Sequence, residues 1–130
     1  MEEARNLVRS ELGLPDHFEV LFLQGGASLG FLTTAMNFTP EGSSMDYAVT
    51  GTWAKKALKE AKKMGNAQAI TSSEDTGFNC IPALPSQSSA GAVHITTNNT
   101  IYGTSFTAPP KTDAPLFVDM SSEMFSRTWD

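Results

Sequence analysis

With 130 residues, 40% of them hydrophobic and 18% charged, the chain is long enough for one domain with a real core and too apolar for a disordered one. The formal net charge of −5 leaves no basic surplus to displace phosphate counterions, which excludes a general nucleic-acid binder. No apolar run nears the roughly 20 residues of a membrane span, and a single cysteine, Cys80, excludes an internal disulfide framework, so the expectation is a reduced, cytoplasmic domain.

The acidic, amphipathic opening MEEARNLVRSELGL has no apolar leader core; Ala4, Leu7, Val8 and Leu12 predict a helix over 3–13. The continuously apolar Val20–Leu23 predicts a strand over Glu19–Gln24, covered on both faces as in a parallel sheet. A mostly apolar helix is expected over 27–37, then a strand over Asp46–Gly51. WAKKALKEAKKM (53–64) reads as a helix with Trp53, Ala54, Ala57, Leu58, Ala61 and Met64 on one face. Its five lysines read as a solvated face, with a binding patch as the lesser alternative, and Gly65 is a natural stop. Strands follow over Ala67–Thr71, Gly91–Thr97 and Ala114–Ser122. Two proline-bearing stretches, Cys80–Gly91 and Thr107–Pro115, read as surface loops. Alternation of strand and helix predicts an α/β fold, a mostly parallel sheet with flanking helices. No helix covers the last strand unit, so residues 1–130 are expected to be part of a larger domain.

Gly25–Ser28 crowds small residues between a predicted strand and a helix start. A helix N-terminus offers unpaired N–H groups and partial positive charge, and small residues let an anion approach, so the turn suits a phosphate. Tight packing explains the same glycines without a ligand. A Walker loop is excluded because Phe31, not lysine, follows Gly30. A dinucleotide fingerprint through Gly25, Ala27 and Gly30 needs an acid at the carboxyl end of the next strand, where Thr50 and Gly51 stand; Asp46 lies at its start.

In open α/β sheets ligands bind at the carboxyl ends of strands. That edge is expected to collect Ser28, Trp53, Thr100 and Asp119, followed by Ser121 and Ser122. A phosphate cradle, a flat aromatic, a hydroxyl and a carboxylate together suit a planar, phosphorylated, cationic heterocycle. Individually, Trp53 reads as a core packer, Asp119 as a cap and Thr100 as a turn residue. His94, between Val93 and Ile95, reads as a core histidine with a satisfied hydrogen bond, and Cys80 has no evident base partner.

The runs VLFLQGGASLGF, DYAVTGTWAKKALKEAKKMG, SSED, HITTNNTIYGT and DMSSEMFSR closely resemble the phosphoserine aminotransferase family, class-V pyridoxal-phosphate enzymes of fold type I, over essentially the whole chain. The resemblance implies that residues 1–130 are part of the cofactor-binding large domain. It implies cofactor-binding roles for Ala27 and Ser28 (phosphate), Trp53 (ring stacking), Thr100 (phenolic oxygen), Asp119 (pyridine nitrogen) and Ser121 (a phosphate-side contact). The family transfers an amino group between phosphoserine and 2-oxoglutarate, in serine biosynthesis, and forms homodimers. Its Schiff-base lysine lies in the strand unit after this segment and its small domain follows, so the chain alone is expected not to turn over. SRTWD replaces the usual SRP, and Ser28 stands where many members carry an arginine used in phosphate recognition. The competing expectations are a non-catalytic α/β module that associates through its exposed sheet edge and, less well supported, a nucleotide-binding domain.

Overall fold

The computed structural model describes residues 1–39 and 41–128; Pro40 and the Trp129–Asp130 end of SRTWD lie outside the described residues. Three helices form: α1 (Glu2–Glu11), α2 (Gly26–Phe38) and α3 (Thr52–Ala61). The strands are β1 (Met45–Val49), β2 (Ala67–Ser72), β3 (Ala92–Thr96), β4 (Asn98–Asn99), β5 (Thr104–Ser105) and β6 (Leu116–Asp119). Four of them make one parallel sheet in the order β2-β1-β3-β6, and β4 and β5 form a small antiparallel ladder.

β1 and β3 are buried at every position, as the apolar runs require of central parallel strands. On one face, Met45, Tyr47 and Val49 of β1 pack with Phe31 and Ala35 of α2 and with Ala57, Leu58 and Ala61 of α3. On the other, Ala48, Val93, Ile95 and Phe106 are covered by Ile81, Leu84 and Ala114. The two proline-bearing stretches therefore close the second face of the sheet and are more than surface loops. Both helices that touch the core lie on the first face.

Three expectations need correction. Glu19–Gln24 is not a strand: it makes no ladder with another strand among the described residues, and Leu21 and Leu23 are 66% and 77% exposed. An apolar run signals burial, but a strand also needs a partner edge. The α3 helix ends at Ala61, short of Met64. The next N–H groups reach back only three residues, Lys63 to Glu60 and Met64 to Ala61, which tightens the chain out of the α-helical ladder. Finally, the last strand is shorter than the expected Ala114–Ser122, running only over Leu116–Asp119; α1 forms as its amphipathic pattern predicts and buries no residue.

The order of the sheet positions the site. From β1 the chain crosses to β2 on one side, whereas β3 is followed by β6 on the other. The carboxyl ends of β1 and β3 thus lie together where connections diverge, the place at which open α/β sheets take ligands.

Candidate functional site

The GGAS turn begins with two glycines in the left-handed region, Gly25 at φ 97° and Gly26 at φ 58°. A Cβ on Gly25 would also lie 2.4 Å from a Leu29 side-chain carbon. Backbone shape and packing therefore account for these two glycines without a ligand. Their result is a helix start whose first turn carries no charged side chain and no side-chain cap, leaving the N–H groups near Ala27 and Ser28 open. Because Glu19–Gln24 is unpaired, this turn is brought to the sheet edge by the packing of α2 against α3, not by a strand beneath it.

A cavity of about 280 Å³ lies at that edge. It is lined by Ala27, Trp53, Thr100, Asp119 and Ser121, together with Phe31. Five of the six residues named from the sequence thus meet around one space, although they come from four separate segments. The sixth, Ser28, does not line it; its Oγ accepts a hydrogen bond from Lys56 Nζ at 2.8 Å.

The polar groups are held in definite orientations. Trp53, in the first turn of α3, is 40% exposed, so it stands at the rim, whereas Ala54, Ala57, Leu58 and Ala61 of the same helix are buried. Its Nε1 donates to Thr100 Oγ1 at 3.3 Å. Thr52 Oγ1 and Tyr102 OH, 2.9 Å apart, make a second tie between the same two turns. Asp119 ends β6 opposite Thr96 of β3. Ser121 donates to Asp119 Oδ1 twice, through its backbone N–H at 3.0 Å and its hydroxyl at 2.6 Å. No hydrogen-bond donor meets Asp119 Oδ2 among the described residues, so that oxygen is left for a ligand. Asn98 Nδ2 donates to Ser122 Oγ at 3.1 Å, joining the loop after β3 to the loop after β6.

Behind this front sits His94, cross-strand from Tyr47 and Phe117. Its ring stacks on Tyr47 at 4.9 Å and meets Phe31 edge-on at 5.9 Å. It is a core histidine, as expected, but its buried Nδ1 has no hydrogen-bond partner. Burial pushes its pKa down to about 4, against the opposing pull of the Asp119 charge. Burial likewise pushes the Tyr47 hydroxyl up to about 12.

Asp46 is far from ribose-binding duty. It is buried at the amino end of β1, where Gln68 Nε2 (2.9 Å) and Ser88 Oγ (2.7 Å) donate to its carboxylate. The sequence did not single out Lys56, the partner of Ser28, because helical spacing placed it with the solvated lysines. The signal available was its position three residues after Trp53, which puts both on neighbouring surface of α3.

The chain matches the family model described as aminotransferase class-V over residues 1–130. It is 47% identical over 134 aligned residues to the phosphoserine aminotransferase of Bacillus cereus, covering 100% of this chain and 37% of that protein. It is 48% identical over 128 residues to the Campylobacter jejuni protein of the same name, covering 98% and 36%. Among solved structures it resembles phosphoserine aminotransferase from Bacillus circulans subsp. alkalophilus, with TM-score 0.92 and 42% identity over 99% of this chain and 37% of that one. It also resembles a PLP-bound phosphoserine aminotransferase from Trichomonas vaginalis, with TM-score 0.90 and 34% identity over 99% and 40%. The chain therefore spans just over a third of the length of the curated relatives it matches.

Proposed function

Because this chain belongs to the class-V aminotransferase family, we propose that it is the cofactor-holding part of a pyridoxal-phosphate-dependent phosphoserine aminotransferase. When bound, pyridoxal phosphate supplies an electron sink for passing an amino group between a phosphorylated amino acid and a 2-oxo acid.

The donor set fits that group. The open N–H groups near Ala27 and Ser28, at the positive end of α2, suit a phosphate. Trp53 offers a flat indole face at the rim. Thr100 Oγ1 accepts from the indole N–H, which leaves its own hydrogen to donate to a phenolic oxygen. Asp119, with Oδ1 engaged by Ser121, presents Oδ2 to a ring nitrogen and favours the protonated form of that nitrogen. In this geometry Ser121 orients the carboxylate; its hydroxyl hydrogen is spent on Asp119 rather than on a phosphate.

No lysine among the described residues lines the cavity. The reading therefore gives the residues around the cavity the tasks of binding and orienting. Residues 1–130 are read as part of a large domain, and the longer protein as a cytoplasmic homodimer acting on phosphoserine and 2-oxoglutarate. Those last attributes rest on the family likeness. The structure adds that no helix among the described residues is long and apolar enough to cross a membrane.

The observation that carries the proposal is the meeting of Ala27, Trp53, Thr100, Asp119 and Ser121 around one cavity. It is tested by titrating the chain with pyridoxal phosphate, NAD and ATP in a calorimeter, a readout that does not depend on Trp53. One saturable site for pyridoxal phosphate is expected, weakened in Trp53→Ala and unaffected by either nucleotide. Displacement by a nucleotide, or binding indifferent to Trp53, would sink the reading.

A further inference from the structure

We propose that Lys56 is a binding residue for the cofactor's phosphate, reaching from α3 to supply the cation that the start of α2 lacks. The inference rests on the cofactor reading above and adds to it a residue and a charge.

The five lysines of the α3 segment have different surroundings. Lys55 pairs with Glu74, and Lys63 pairs with Glu60 at 2.6 Å. Lys59 and Lys62 are exposed. Lys56 is half-buried, forms no ion pair among the described residues, and turns its Nζ to Ser28 Oγ at 2.8 Å. The same Nζ lies 5.9 Å from the centroid of the Trp53 ring. One helix therefore carries both the aromatic face and, three residues on, a cation directed at the helix start that would take the phosphate.

The chemistry is complementary. An ammonium has three N–H donors; Ser28 takes one and two remain for an anion. Ser28, by accepting from Lys56, keeps its own hydroxyl hydrogen to donate outward. The GGASLGF stretch contains no cation, so without Lys56 a dianion would meet only partial charges there. Hydrogen bonds from a charged donor are roughly twice as strong as neutral ones. The placement of Nζ beside the Trp53 ring favours the cofactor's phosphate over a substrate's, because that ring is the proposed platform for the pyridine.

The test uses 4-deoxypyridoxine 5′-phosphate, which has no aldehyde to react with lysines, and 4-deoxypyridoxine, which lacks the phosphate. Calorimetric affinities are measured for the chain and for Lys56→Met, Lys56→Arg and Lys59→Met. Lys56→Met keeps an unbranched apolar side chain of similar length and removes the charge. It is expected to weaken the phosphorylated ligand by roughly ten- to a hundredfold and to leave the unphosphorylated one unchanged. Lys56→Arg should restore most of the loss, and Lys59→Met should bind as the parent does. Equal weakening of both ligands by Lys56→Met would assign the lysine a packing role and overturn the inference. So would undiminished binding of the phosphorylated ligand, which leaves the cofactor reading intact. If the parent chain binds neither ligand, the cofactor reading and this inference fall together. O-phosphoserine offered alone should bind Lys56→Met and the parent equally; a preference for the parent would move the lysine to substrate recognition and overturn its assignment to the cofactor.

Discussion

Trp53 Nε1 and Thr100 Oγ1 meet at 3.3 Å, so a residue of the first turn of α3 and the residue that follows β4 fix one another at the cavity rim. The pair spans the two turns that follow β1 and β3, and it sets both the tilt of the indole and the direction of the hydroxyl. Thr100→Val removes the hydroxyl without changing the shape. Because the indole is 40% exposed, its N–H then turns to water, and stability should change by less than about 0.5 kcal/mol. Affinity for pyridoxal phosphate should fall about fivefold to tenfold, the effect of one lost hydrogen bond. Thermal melting and ligand titration of the same variant separate the two. A large stability loss would show that the contact holds the fold rather than the ligand site.

Gly51, just before α3, is extended, with φ 176°, so its backbone admits any residue. The neighbourhood does not: a Cβ there would lie 2.5 Å from Asn99 Oδ1. Asn99 is buried and donates through Nδ2 to Thr104 Oγ1 at 3.1 Å, so it cannot simply swing away. Gly51→Ala should cost about 1–3 kcal/mol through overpacking. Gly65→Ala is the control, since a Cβ there meets nothing within 4 Å and φ is not in the left-handed region. It should be neutral or stabilise by up to about 1 kcal/mol. Urea midpoints of the two variants would show whether close approach of Asn99, rather than loss of a glycine, sets the difference.

Much of this was legible in the residues, for reasons that differ along the chain. β1 and β3 announced themselves because central parallel strands are buried on both faces and so read as mostly apolar segments, here MDYAV and AVHIT, interrupted only by Asp46 and by His94 and Thr96. Val20–Leu23 carries the same pattern and is not a strand among the described residues. A one-dimensional pattern reports apolarity and carries no information on whether a partner edge is present. The meeting of Trp53, Thr100 and Asp119 at one edge followed from a general property of α/β sheets, whereas the turn at Ala27 and Ser28 reaches that edge through the packing of α2 against α3, with no strand beneath it. Lys56 stayed hidden because helical periodicity assigns a residue to a face, whereas a long side chain on the border of that face reaches sideways to another element. The unpartnered Nδ1 of His94 was equally invisible, since hydrogen-bond satisfaction depends on neighbours from Tyr47 and Phe31 that lie far away in sequence.

His94 makes stability depend on pH. Its folded pKa of about 4 lies below the ordinary value of 6.5, so between these values the unfolded chain binds a proton that the folded chain refuses. Stability is therefore full above about pH 6.5 and declines as the pH falls toward 4, by on the order of 3 kcal/mol. The groups facing the imidazole are Tyr47, whose raised pKa keeps it neutral throughout, and Asp119, whose charge partly opposes the effect. His94→Phe keeps the ring contacts with Tyr47 and Phe31 and removes the titration. Denaturant unfolding at pH 7.5 and pH 5 should show the parent losing stability on acidification while the variant loses distinctly less. Parallel losses in both proteins would place the acid sensitivity elsewhere.

Asp119 separates charge from shape most cleanly. In Asp119→Asn the side-chain oxygen still accepts from the Ser121 N–H and hydroxyl, so the loop after β6 keeps its two short hydrogen bonds. The residue is half-buried at a strand end, and the Thr97 N–H and hydroxyl that also donate to it reach its backbone carbonyl, which the substitution leaves in place. Melting temperature should therefore stay close to that of the parent. The amide has lost the negative charge that favours a proton on the ring nitrogen of a bound pyridine. A carboxylate in contact with a cation shifts its titration by about 1–3 pH units. Bound 4-deoxypyridoxine 5′-phosphate, followed by its absorbance across pH, should lose its ring proton about 1–3 units lower in Asp119→Asn than in the parent. An unchanged ring titration, in a variant that folds and binds, would mean that Asp119 does not face the nitrogen, and the orientation assigned to the cofactor would have to be reversed.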